Sequence, residues 1–227
     1  MLRIPSQEWL DDDLGTPKEI QRCFDDLWRI NRWLGGVSGC LHLLETYFDR
    51  RGSRHARILD VGSGDSRLAR YLQRELARRK RTTEFVALDR RLSHLRNGHH
   101  STGGLSRVVG DVKDLPFPEK SFEVVICNLF LHHFSGDDAV KLLCRLARIA
   151  SEAVLINDLE RHPLPYFFIR VAWPFASSRI TRHDGAASVR QAYTKDELAT
   201  LARRAGFTQF EVKRLPVFRL GLALWKF

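Results

Sequence analysis

The apolar residues of this chain fall into two alternating rhythms. Short unbroken apolar runs, "RILDV", "EFVALD", "FEVVICN" and "EAVLIND", read as strands buried on both faces, as in a parallel sheet. Between them lie stretches whose apolar residues recur three and four apart, residues 66–80 and "DDAVKLLCRLARIA" after Ser135; these read as amphipathic helices. A further short segment, "SRVVGD", precedes a turn built on Pro116 and Pro118. Apolar strands alternating with amphipathic helices make βαβ units, so the predicted class is α/β, a mostly parallel sheet with helices on both faces.

The flanks are helical. Thr16-Pro17-Lys18-Glu19 supplies a cap, a proline at the first helical position and a glutamate three residues after the cap. Ile20, Phe24 and Leu27 then recur at helical spacing until Gly35-Gly36, and "VSGCLHLLETYF" carries Leu41, Leu44 and Phe48 on one face. Residues 1–50 are therefore expected to form a helical cap ahead of a core at 57–158. Residues 159–193 break the rhythm with proline, aromatic and basic residues, and are expected to be an insertion. Thr194-Lys195-Asp196-Glu197 is a second capping box, opening a helix that Gly206 closes before two late strand candidates, "FTQFEVKRL" and "VFRLGLALWKF". No repeat appears, and residues 1–227 read as a single domain.

Composition narrows the class further. With 44% hydrophobic and 28% charged residues, the chain is of soluble globular type. Its opening, "MLRIPSQEWLDDDLG", lacks the basic start and apolar run of a leader. The longest apolar stretch, "LPYFFIRVAWPFA", is broken by Pro165, Arg170 and Pro174 and falls short of the ~20 residues of a spanning helix. Cys23, Cys40, Cys127 and Cys144 are too scattered for a zinc spacing, so no metal is predicted. Cys127 and Cys144 stand in apolar runs and are expected to be buried thiols, and a cytoplasmic compartment follows. The net charge of +10 would suit phosphates, nucleic acid or an anionic membrane surface. It is spread along the chain, however, and its clusters "DRRGSRHAR" and "RRKR" flank predicted elements as solvated loops do. No specific nucleic-acid partner is expected, peripheral membrane contact stays open, and nothing speaks to oligomeric state.

The chemistry centres on "ILDVGSGDSRLARYL", a strand that turns into a helix. Gly62 and Gly64 let backbone amides approach a ligand where a Cβ would obstruct. Asp65, Ser66 and Arg67 stand where a dinucleotide fingerprint places its next glycine, and no P-loop lysine is present, which speaks against NAD and ATP. Asp60, Asp89 and Asp111 end three successive strands and so converge on one sheet edge. A carboxylate at Asp89 can accept both hydroxyls of a ribose, and one at Asp111 an exocyclic amine. The competing reading is that each caps the following helix.

These residues resemble those of class I S-adenosylmethionine-dependent methyltransferases. "ILDVGSGDSRLARYL" is similar to the family's first motif and "VALDRR" to its second, and "GDVKDLPFPEKSFEVVICNLFLHHF" resembles the third and fourth motifs of the ubiquinone/menaquinone-biosynthesis-type branch. Ser66 replaces the usual third glycine. The resemblance implies a Rossmann-like seven-stranded sheet, with S-adenosylmethionine as cofactor and S-adenosylhomocysteine as its product. Carried over, Asp60, Gly62 and Gly64 face the methionine part, Asp89 the ribose and Arg90 the adenine. Asp111 and the backbone amide of Val112 take the adenine edge, and Asn128 lies near the methionine amine.

A small-molecule acceptor is expected, lipophilic or aromatic, of phenol, quinol or polyketide type. His132 and His133 directly follow the fourth strand, and His183 lies in the insertion; each is a candidate base for a phenolic acceptor. Tyr166, Phe167, Phe168, Trp173 and Phe175 make the insertion a candidate acceptor cover, with Arg179, Arg182 and Arg190 as anion-binding candidates and Trp28 and Trp33 as an opposite wall. Two other classes stand beside this reading. An RNA methyltransferase would use the charge, though "NLFLHH" replaces the Asn/Asp-Pro-Pro-aromatic motif of base-amine methylation. A cofactor-binding protein of the same fold without catalysis is the other.

Overall fold

The computed structural model describes residues 1–97, 105–172 and 176–226. Its centre is a seven-stranded sheet of order β3-β2-β1-β4-β5-β7-β6. The strands are β1 His55–Val61, β2 Thr82–Asp89, β3 Ser106–Val109, β4 Phe122–Asn128, β5 Ala150–Leu159, β6 Phe210–Leu215 and β7 Arg219–Trp225. β1 pairs in parallel with β2 and β4, whereas β7 runs antiparallel to both β5 and β6. The chain winds one way from β1 through β2 and β3 and the other way from β4 onward. The crevice beyond the ends of β1 and β4 is the switch point where ligands of such sheets lie.

Side-chain alternation explains why both faces are covered. On one face Ile58, Phe85, Val124, Ile126 and Leu155 pack against α2 (Gly36–Arg51) and α3 (Arg67–Arg78). On the other, Leu59, Leu88, Val125, Val154 and Ile156 pack against α5 (Gly136–Ile149) and α8 (Lys195–Arg204). The second predicted helix is thus a layer of the core, not part of a cap: Leu44, Tyr47 and Phe48 are fully buried. Both predicted capping boxes close, at Thr16 with Glu19 ahead of α1 (Pro17–Trp33) and at Thr194 with Glu197 ahead of α8.

Residues 159–193 contain two helices, α6 (Pro163–Ala172) and α7 (Arg179–Gln191), where the sequence shows only a break in the strand-helix rhythm. The expectation for Cys144 is corrected. Cys144 is exposed, whereas Cys23, Cys40 and Cys127 are buried; its place on α5 turns it away from the sheet although its neighbours Leu142 and Leu143 are buried. Among the described residues no helix is long and apolar enough to cross a membrane.

Candidate active site

The loop after β1 is held open by backbone conformations that favour glycine. Gly62 and Gly64 have φ of +68° and +55°. A Cβ on Gly62 would come within 2.7 Å of the Phe130 ring, and one on Gly64 within 2.9 Å of Phe24. Ser66 takes the same left-handed conformation, φ +62°, with a fully buried side chain; the serine bears a strain that glycine would not.

Beside this loop opens a cavity of about 240 Å³. Its wall includes Asp60, Gly62, Gly64, Asp89, Arg90, Val112 and Asn128 from the predicted cofactor side, and His132 and His133 from the predicted acceptor side. Phe24, Leu27, Trp28, Leu129, Phe130 and Ile169 supply apolar wall. The two predicted halves therefore share one space.

Asp60 ends β1 almost completely buried, and its Oδ2 has no hydrogen-bond partner. Burial, with a smaller push from the Asp89 charge, raises its carboxyl to about 7. Asp89 accepts the Gly64 N–H at 2.8 Å and the Arg91 N–H at 2.9 Å. His94 brackets it, with Nδ1 3.3 Å from Asp89 and Nε2 2.9 Å from Asp13. Burial opposes charge on His94, but these two carboxylates outweigh it and raise the imidazole above its ordinary value. Asn128 accepts from Asn157 at 2.8 Å, which fixes its amide at the end of β4.

His132 and His133 sit in a short 3-10 turn, Leu131–His133, with their rings stacked 4.4 Å apart. His132 Nδ1 lies 2.7 Å from Asp158 Oδ1 and Nε2 lies 3.4 Å from Glu8 Oε1. Burial opposes its charge, yet Asp158 and then Glu8 outweigh that penalty and raise it to about 10. These two carboxylates favour the imidazolium form of His132. His133 Nδ1 is 2.9 Å from Asp11 Oδ2.

Several sequence expectations fall elsewhere. His183 is not part of the cavity wall; it stacks on Trp9 at 4.1 Å and its Nδ1 lies 2.8 Å from Asp184. Asp111 is also outside the wall, its carboxylate accepting the Lys113 N–H at 2.8 Å, while its neighbours Gly110 and Val112 line the cavity. Of the α6 aromatics, Phe167 and Phe168 are 60% and 58% exposed and Tyr166 is not in the wall; Trp173 and Phe175 lie outside the described residues. Trp33 is 75% exposed, unlike Trp28. Arg179 pairs with Glu19, and neither it, Arg182 nor Arg190 reaches the cavity.

The N-terminal strap was not foreseen. Glu8, Leu10 and Asp11 form part of the cavity wall. Arg90 and Arg91 hold the Asp11 carbonyl, at 2.7 Å and 2.9 Å. Asp184 accepts the backbone N–H groups of Trp9 and Leu10 at 2.9 Å and 3.0 Å. The strap thus bridges the β2 side of the cavity and α7. The acidic run Asp11 to Asp13 opposite arginines was its only local signal.

A methyltransferase-domain family matches residues 59–155, which hold the glycine loop, Asp89, His94, His132 and His133. The match covers less than half of the chain and falls on the motifs that resemble those of class I S-adenosylmethionine-dependent methyltransferases. Among curated relatives, this chain is 38% identical over 72 residues to a fatty-acid O-methyltransferase of Mycolicibacterium smegmatis, spanning 31% of this chain and 25% of that one. It is 31% identical over 120 residues to a malonyl-[acyl-carrier protein] O-methyltransferase of Halorhodospira halophila, spanning 52% and 39%. The chain therefore matches well under half the length of either relative. Among solved structures, the plantazolicin methyltransferase BpumL with a monoazolic desmethylPZN analog and SAH has a TM-score of 0.67 at 15% identity, over 92% of this chain and 95% of that one. Human N-acetylserotonin methyltransferase with SAM has a TM-score of 0.66 at 17% identity, over 98% and 60%. These two share the fold.

Proposed function

We propose that this methyltransferase passes the methyl of S-adenosylmethionine to an oxygen of a small, lipophilic acceptor. The observation that carries the reading is the shared cavity, which runs from the glycine loop to the polar cluster of Glu8, His132 and His133 along an apolar wall. Both curated relatives are named as O-methyltransferases, which favours oxygen over carbon or nitrogen.

The residues present fit the cofactor. The buried, unpartnered Asp60 Oδ2 is suited to accept from an ammonium, and the missing side chains of Gly62 and Gly64 let the Phe130 and Phe24 rings close on the loop beside it. Asp89 Oδ2 accepts the Gly64 N–H and keeps capacity for a ribose hydroxyl. Its Oδ1 faces both the Arg91 N–H and His94, and would take a second hydroxyl only if His94 turned away. Val112 and Arg90 would flank the adenine and Asn128 the methionine amine; Asp111 would reach the adenine amine only by turning from Lys113. The cofactor supplies an activated methyl on a sulfonium, so the protein's part is to align the acceptor and exclude water. Leu10, Trp28, Phe130 and Ile169 would exclude water. The His132 imidazolium would face the acceptor's oxyanion, and His133, oriented by Asp11, would take the proton of a phenolic hydroxyl.

The test is a panel of phenols, quinols and long-chain carboxylic acids incubated with the protein and cofactor, read by product mass. Methyl ether or ester formation from a lipophilic member is expected. In parallel, calorimetry with S-adenosylhomocysteine on Asp89→Ala should show weakening by about 1.5–3 kcal/mol, the scale of hydrogen bonds to a charged group. Unchanged affinity removes Asp89 from the ribose site, and absence of both binding and turnover overturns the proposal.

A further inference from the structure

We propose that Glu8, His132 and His133 form a binding site for a divalent transition-metal ion, zinc being the best match, in the wall of the cavity. One donor atom from each residue lies within 4.8 Å of the other two. His132 Nε2 is 3.4 Å from Glu8 Oε1, and His133 Nε2 is 4.0 Å from Glu8 Oε2. Zinc bonds of about 2.0–2.2 Å to nitrogen and oxygen would draw these donors together by side-chain rotations of about an ångström.

The outer contacts match those of built metal sites, where each ligating histidine has its other nitrogen held by a carboxylate or carbonyl. Asp158 holds Nδ1 of His132 at 2.7 Å, and Asp11 holds Nδ1 of His133 at 2.9 Å. Both Nε2 atoms are thereby turned toward Glu8. Glu8 is oriented in turn, its Oε1 accepting from Ser188 at 2.6 Å and Gln191 at 2.5 Å. Independently of the cluster's composition, the 2% exposed His132 leaves its Nε2 without a hydrogen bond, although nearly every buried polar atom finds one.

Charge points the same way. Glu8, Asp11 and Asp158 surround two imidazoles, and the charge of Arg90 offsets one carboxylate. Three carboxylates so close to the cluster favour a cation there. Two imidazoles and a carboxylate are an established donor set for zinc with a position left open. That position would take an acceptor hydroxyl or carboxylate oxygen. This use of the metal rests on the methyl-transfer reading and would replace His133 as the group that activates the acceptor; the metal site itself does not rest on it. Glu8 stands far from the histidines in sequence, so no ligand spacing announces the site.

The experiment uses the full chain without a polyhistidine tag, stripped with EDTA and titrated with Zn²⁺ against a chromophoric chelator and with Co²⁺ by visible absorption. One ion per chain at sub-micromolar affinity is expected. Glu8→Gln and His133→Ala should each weaken binding by 100-fold or more, and Asp158→Asn by 10–100-fold, the usual effect of an outer partner. Circular dichroism checks that each variant is folded; Glu8→Gln, in the strap and outside the sheet, keeps the test valid if Asp158→Asn does not fold. Substoichiometric binding, or binding unchanged by Glu8→Gln and His133→Ala, overturns the site. Calorimetry with S-adenosylhomocysteine on the same samples separates the two proposals, because cofactor binding with no zinc binding sinks only the metal site.

Discussion

Asp60 holds a buried carboxyl that the fold alone does not satisfy. Its folded value of about 7 lies above the ordinary 3.8, so between those two pH values the folded chain keeps a proton that the unfolded chain releases. No penalty exists below about pH 4; stability then falls as pH rises, and the full cost, roughly a few kcal/mol, is reached above pH 7. Asp60→Asn should therefore raise the melting temperature of the cofactor-free protein at pH 8 and leave it nearly unchanged at pH 4. The same variant should bind S-adenosylmethionine at least tenfold more weakly, as expected where a binding site is kept at the expense of stability. Equal melting shifts at both pH values would show that the carboxyl is not the source. Ser66 gives a second case. Its left-handed backbone costs about 1–2 kcal/mol for a residue with a Cβ, and its buried Oγ makes no hydrogen bond, so Ser66→Gly should raise the urea midpoint by roughly 1 kcal/mol of stability with an unchanged slope.

Elements are joined over the cavity by two latches. In one, buried Asp26 of α1 accepts the backbone N–H groups of Ser177 and Ser178 at 2.9 Å and 3.0 Å, and the Ser177 hydroxyl at 2.7 Å. Asp26→Ala would orphan these donors at about 1–3 kcal/mol, and tryptic cleavage at Arg179 and Arg182 should accelerate. In the other, Arg91 donates to the Asp11 carbonyl through Nε at 3.1 Å and Nη2 at 2.9 Å; Arg91→Ala should speed release of S-adenosylhomocysteine by about tenfold in stopped-flow measurements. The capping boxes, the apolar strand runs and the strand-end Asp60 and Asp89 are local patterns, so the sheet, α1, α8 and the glycine-loop side of the cavity are legible from sequence. Glu8, Asp26 and His94 are not, because their partners are set by tertiary packing and leave no periodic trace. That His183 lies outside the cavity wall is hidden for the same reason: nothing local says that Trp9 covers its ring.

At the scale of the whole molecule, the cavity wall draws on the strap, α1, four strand ends, α6 and α7. A ligand that binds there touches most of the structure and should stabilise it as a unit. At 100 times its Kd, S-adenosylhomocysteine adds about 2.7 kcal/mol, a melting shift of about 5–10 °C for a domain of this size, which differential scanning calorimetry would detect. The strap also imposes a chronology on synthesis. Arg3 reaches Gln191 and His132, and Trp9 reaches Asp184, across separations of 188, 129 and 175 residues. The ribosome makes the strap first and the last of its anchors on α7 much later, while folding follows emergence from the N-terminal side. A nascent chain stopped after β5 would own the glycine loop and Asp89 but no roof above them. The growing polypeptide therefore stays an open bowl until α7 arrives to catch the strap made before it.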